Sequence, residues 1–107
     1  MKCTINGLKW TIKNADADDS VLQFKGNPCF GVTEYPSLTI YLRKDQAKEL
    51  YRQTSIHELI HAFTFSFGVH LMANEKTEES VCDFMGAHFD EIYHLANLIM
   101  ENVYGKG

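Results

Sequence analysis

The chemistry-bearing feature of this sequence is His57-Glu58-Leu59-Ile60-His61. Residues four apart on an α-helix lie one turn up and about 40° round, so both imidazoles can point to one side and meet one ion. A His-Glu-x-x-His string would arise by chance in a chain of this composition with a probability of about 2%. Ile56, Leu59, Ile60, Ala62 and Phe63 around it are apolar, as a buried metal-bearing helix requires, and the polar exceptions are the three residues the chemistry would use. A catalytic zinc site needs a third protein ligand and keeps its fourth position for water. Acids further along offer that ligand. Glu79 stands eighteen residues after His61, with Asp83 four positions later on the same helical face. Glu78 competes, but about 100° of rotation separates it from Glu79, and it has no acid at i+4.

The elements that must position these residues are two helices and a set of strands. From Asp45 the hydrophobic period is helical, with Asp45 as N-cap, Ala47, Leu50, Tyr51, Thr54, His57 and His61 at steps of three or four, and Gly68 at the C′ position. This predicts a helix over about 45–67. A second long helix over about 77–104 is expected, with Thr77 as N-cap after the polar segment Ala73-Asn74-Glu75-Lys76. Its stripe is Val81, Met85, Phe89, Ile92, Ala96, Ile99 and Val103. Upstream, Ile5 to Ile12 alternates as a strand and Val21 to Phe24 is a second short apolar run, which together suggest a meander. Cys29 to Tyr35 and Leu38 to Leu42 flank Pro36-Ser37 as a hairpin. The fold class expected is α+β: one domain over 1–107, with a small mostly antiparallel sheet whose edge strand lies over a cleft and packs on the two helices.

His57-Glu58-x-x-His61 followed by Glu79-Ser80-Val81-Cys82-Asp83 resembles the gluzincin clan of zinc metallopeptidases. The similarity covers roughly residues 29–90 and is nearest in size to the minigluzincins and the ImmA/IrrE-like metallopeptidases, which are often carried on mobile elements. Metzincins are excluded, because Thr64 and Phe67 stand where that family needs glycine and histidine. The resemblance implies one Zn²⁺ held by His57, His61 and Glu79, with Asp83 hydrogen-bonded to a ligating imidazole. It also implies that Glu58 is the general base activating the zinc-bound water. It further implies that Gly31, Val32, Thr33, Glu34 and Tyr35 form an edge strand pairing with an extended peptide substrate. Cys82 departs from the clan's short members, many of which have alanine there.

No spacing argument singles out an oxyanion donor among His70, Tyr35, Tyr93 and His94, and His88 is half a turn out of phase with Glu79. Two rivals remain. One is a catalytically silent or latent zinc-binding interaction module, its fourth position closed by His70, Cys29 or the chain's own tail. The other is a deformylase-like amidase using Cys29 as a ligand.

Composition narrows the partners. A formal net charge of −4 gives no positive field for a polyanion, which argues against nucleic acid. No apolar run approaches the ~20 residues of a membrane span, and the first residues lack the apolar stretch of a signal peptide, so a cytoplasmic protein is expected. Cys3, Cys29 and Cys82 suggest neither a disulfide framework nor a thiolate zinc knuckle. The partner expected is a peptide or protein substrate.

Overall fold

A computed structural model describes residues 1–68 and 77–105, with only the backbone of residues 77 and 78. Strand β1 (Lys2–Ile5) turns back into β2 (Leu8–Ala15) as an antiparallel hairpin, with Asn6 and Gly7 at φ 46° and 82°. Positive φ at both central positions is the type I′ geometry that suits the twist of paired strands and that Asn-Gly adopts most readily. The single strand expected over Ile5 to Ile12 is therefore two strands. Trp10 and Ile12 do face the core while Lys9 and Lys13 face out, but Ile5 lies across the hairpin, in register with Leu8.

After β2 the chain makes a 3₁₀ turn (Ser20–Leu22), capped by the Asp19 carboxylate accepting from Val21 N–H at 3.1 Å. A small hairpin of β3 (Gln23–Phe24) and β4 (Asn27–Pro28) follows. Leu22 is fully buried from the 3₁₀ turn, so its apolarity marks a plug and not a strand of the main sheet. Then come β5 (Gly31–Glu34) and β6 (Thr39–Arg43), joined through a turn over residues 35–38 in which Leu38 takes φ 50°. The main sheet has the order β1-β2-β6-β5. The expected meander is replaced by a parallel pairing of β2 with β6, Ile12 opposite Ile40. Parallel neighbours need a crossover of a dozen residues or more, which the 3₁₀ turn, β3–β4 and β5 supply. The other pairings are antiparallel, and β5 ends the sheet with one side unpaired among the described residues.

Helix α1 (Lys48–Ser66) crosses this sheet. Its buried face is Tyr51, Thr54, Ser55, Glu58, Leu59, Ala62 and Phe63, at the three-and-four spacing of one helical side. Burying a Leu or Phe side chain is worth about 1.5–3 kcal/mol, so Leu59 and Phe63 alone bind the helix firmly to the core. The helix starts later than expected. Asp45 does not cap it: the Arg43 guanidinium bonds the Asp45 carboxylate at 2.6 Å and holds its carboxyl below the usual range. Ala47 takes the N-cap position without a side-chain bond. The far end is as expected, with Gly68 at φ 69° and its N–H on the Phe65 carbonyl. The first hairpin fastens that end, because the Asn6 amide donates to the Ser66 carbonyl and Trp10 Nε1–H to the Ser66 hydroxyl.

Helix α2 (Thr77–Tyr104) packs on α1, and Thr77 is its first helical residue. Ile92, Ala96 and Ile99 enter the core as expected, but the N-terminal half turns Phe84 inward, with Met85 and His88 half-buried, and leaves Val81 and Phe89 exposed. Val103 also faces out. The row Val81-Met85-Phe89 lies three positions before Phe84-His88-Ile92, about 60° round the helix, so the first row turns away from the contact line that the second follows. The His88 ring lies 4.2 Å from that of Phe67 and 4.6 Å from that of Phe84. No described helix is long and apolar enough to cross a membrane.

Candidate functional site

Alternate residues of β5 face α1. At Gly31 the two elements approach so closely that a Cβ would lie 2.7 Å from Thr54 Cγ2 and 2.9 Å from Glu58 Cγ. Only glycine fits there without displacing the helix or the strand. Two residues on, the Thr33 hydroxyl donates to Glu58 Oε1 at 2.8 Å, with the Glu58 carbonyl a second acceptor at 3.2 Å. Strand side chains alternate, so Gly31 and Thr33 share this face. Gln46 ties the start of the site together. Its amide donates to the carbonyls of Phe30 and Arg43, and its Oε1 accepts from the Thr54 hydroxyl.

Glu58 is the buried member of the motif, 5% exposed, while the His57 side chain is 68% exposed and His61 is exposed as well. The helix thus turns its histidines to the solvent-facing flank and its glutamate under β5. The two imidazole rings lie 5.0 Å apart between centroids, and His57 Nε2 is 3.9 Å from Glu58 Oε2. The carboxylate is therefore divided in its contacts: Oε1 is held by Thr33, and Oε2 faces the histidine.

A cleft of about 330 Å³ opens beside this group, lined by Phe30, Gly31, Leu50, Gln53, Thr54, His57 and Glu58. Phe30, Leu50, Gln53 and Thr54 are not among the site residues that the sequence points to. Leu50, Thr54 and His57 repeat at steps of four and three on the motif helix, and that spacing could have pointed to them. Beyond the strand, Tyr35 stacks on Phe65 with centroids 4.7 Å apart and planes 12° from parallel. Burial, and then the charge of Glu58, push the Tyr35 hydroxyl above its ordinary range.

The structure brings together Gly31, Thr33, His57, Glu58 and His61. Val32 and Glu34 complete β5, and Tyr35 falls just past its end. Glu79 and Asp83 are exposed near the start of α2. Among the described residues no group of three or more His, Cys, Asp or Glu side chains that could hold a metal ion is found. The Glu78 side chain, His70 and residues 73–76 lie outside what is described. Tyr93 is stacked on Phe89 and lies under the Arg52 guanidinium.

Compared with known proteins, the chain matches no family model, no curated protein and no solved structure.

Proposed function

We propose that this chain is a minimal zinc metallopeptidase that hydrolyses peptide bonds in extended segments. The observation that carries the reading is the relation of Glu58 to its neighbours. It is a buried, hydroxyl-bonded carboxylate beneath a strand edge unpaired among the described residues, flanked on the same helix by two exposed imidazoles.

The donor set suits the ion in part. Two imidazoles on one helical flank, with ring centroids 5.0 Å apart, match two ligands of a zinc site. Glu79 would be the third, and Asp83 would accept a hydrogen bond from a ligating ring. When bound, zinc supplies a Lewis acid that polarises the scissile carbonyl and makes water nucleophilic near neutral pH. Glu58 then takes the proton of the attacking water on Oε2, because Thr33 occupies Oε1, and passes it to the leaving amine. The outer edge of β5 offers main-chain donors and acceptors to a peptide of any sequence, and the cleft beside Gly31 receives one of its side chains. Cys3, Cys29 and Cys82 as free thiols fit a reducing compartment, which supports a cytoplasmic location.

The test is elemental analysis of protein purified without added metal, combined with digestion of a random peptide library. Zinc near one per chain with endopeptidase cleavage is the expected result. Stoichiometric zinc with no cleavage under any metal condition would transfer the assignment to a catalytically silent zinc-binding module.

A further inference from the structure

We propose that the phenol hydroxyl of Tyr35 donates a hydrogen bond to the oxyanion formed when water adds to the scissile carbonyl, a role that rests on the peptidase reading above and gives it a second catalytic residue. Gly31, Thr33 and Tyr35 are alternate residues, and the contacts of all three lie on α1: Gly31 against Thr54 and Glu58, Thr33 on Glu58, Tyr35 on Phe65. A strand advances about 3.3 Å per residue, so Tyr35 follows Thr33 by roughly 6–7 Å along the same face. Phe65 is one turn beyond His61 on the helix. Tyr35 therefore flanks the imidazole pair on one side, as the cleft beside Gly31, Leu50 and Thr54 flanks it on the other.

The ring is held for the purpose. Phe65, on which it stacks, is itself met edge-on by Trp10 at 6.2 Å, so an aromatic row sets its plane. Tyr35 remains 39% exposed, within reach of a peptide lying along β5. A tyrosine hydroxyl is protonated through the neutral range, and burial with the nearby Glu58 charge raises it further, so it stays a donor. In the step itself, the water oxygen bonds to the carbonyl carbon, the π pair moves onto the carbonyl oxygen, and Glu58 takes the water proton. The Tyr35 O–H donates without losing its proton. As the oxyanion collapses and the C–N bond breaks, Glu58 delivers its proton to the amine.

The experiment compares zinc-loaded wild type with Tyr35→Phe, which keeps the ring and its stack. It measures steady-state hydrolysis of the best-cleaved library peptide, and affinity for an N-phosphorylated dipeptide, whose tetrahedral phosphoryl group mimics the hydrated carbonyl, against the same dipeptide unphosphorylated. The expected result is unchanged melting and KM, a kcat lower by about 10²-fold, and a comparable loss of affinity for the phosphoryl compound alone. A Tyr35→Phe protein within threefold of wild type in both kcat and phosphoryl affinity overturns the role of Tyr35 while the peptidase reading stands. A wild type that neither cleaves nor binds the phosphoryl dipeptide overturns both.

Discussion

Thr33 Oγ1 donates to Glu58 Oε1 at 2.8 Å, joining the edge strand to the motif helix across 25 residues of sequence. Glu58 is nearly inaccessible there, so the hydroxyl replaces part of the hydration the carboxylate gives up. Thr33→Val keeps the side-chain shape and removes that donor, leaving the buried carboxylate short of a partner. The folded state should lose about 1–3 kcal/mol in urea titrations, and Thr33→Ser should recover most of it. Equal stability of Thr33→Val and wild type would mean that Glu58 is not held by this contact.

Glu58→Gln tests catalysis without disturbing the scaffold. The amide oxygen can still accept from Thr33, so melting temperature and zinc content should stay near wild type. Peptide hydrolysis should fall by about 10²- to 10⁴-fold, the effect of losing a positioned proton acceptor. Hydrolysis at the wild-type rate would remove Glu58 from the mechanism.

Gly31→Ala places a methyl group 2.7 Å from Thr54 Cγ2 and 2.9 Å from Glu58 Cγ. The strand or the helix must shift, at an expected loss of about 1–3 kcal/mol. Thr54→Ser removes Cγ2 but keeps the hydroxyl that bonds Gln46, so the double variant should be more stable than the sum of the two single changes. Simple additivity in thermal melts would show that the two residues do not crowd each other.

Zinc affinity distinguishes the acids of α2. Glu79→Ala should weaken it most, and Asp83→Ala by about 10- to 100-fold through the orientation of a ligating imidazole. Glu78→Gln should change it little. Competition titrations against a chromogenic chelator measure all three, and equal losses at 78 and 79 would contradict the helical phase argument.

Tyr51 makes stability fall in alkali. Burial, then the neighbouring Tyr104, push its hydroxyl up to about 12, from 10.0. The neutral phenol is the form the fold prefers, so the contribution is complete below the unfolded value and is lost as pH rises from about 10 through 12. Its bond to Asn14 goes with the proton. Melting temperature should decline across that window more steeply in wild type than in Tyr51→Phe, and parallel curves would assign the decline to other groups.

Local signals wrote the helices and the motif. Helical period and a C′ glycine are properties of neighbouring residues, so α1 stops just before Gly68 and α2 runs Thr77–Tyr104 as the sequence indicates. The spacing of His57, Glu58 and His61 fixes which side chains can converge whatever the helix packs against. The Asn6-Gly7 turn was also present as a local signal, masked by an alternation that runs through it. What spacing cannot carry is the choice of neighbour. Alternation in Trp10-Thr11-Ile12 and Ile40-Tyr41-Leu42 shows that each strand has a core face, yet it is silent on whether those strands meet or in which direction, and they pair in parallel. The rotation of α1 is likewise non-local. Glu58 is buried and its flanking histidines are exposed because the sheet lies on one side of that helix, and Thr33 meets Glu58 because β5, at the sheet's edge, passes over it at Gly31. These contacts depend on the distance between segments far apart in the chain, which is set by packing the whole core and by no single stretch of it.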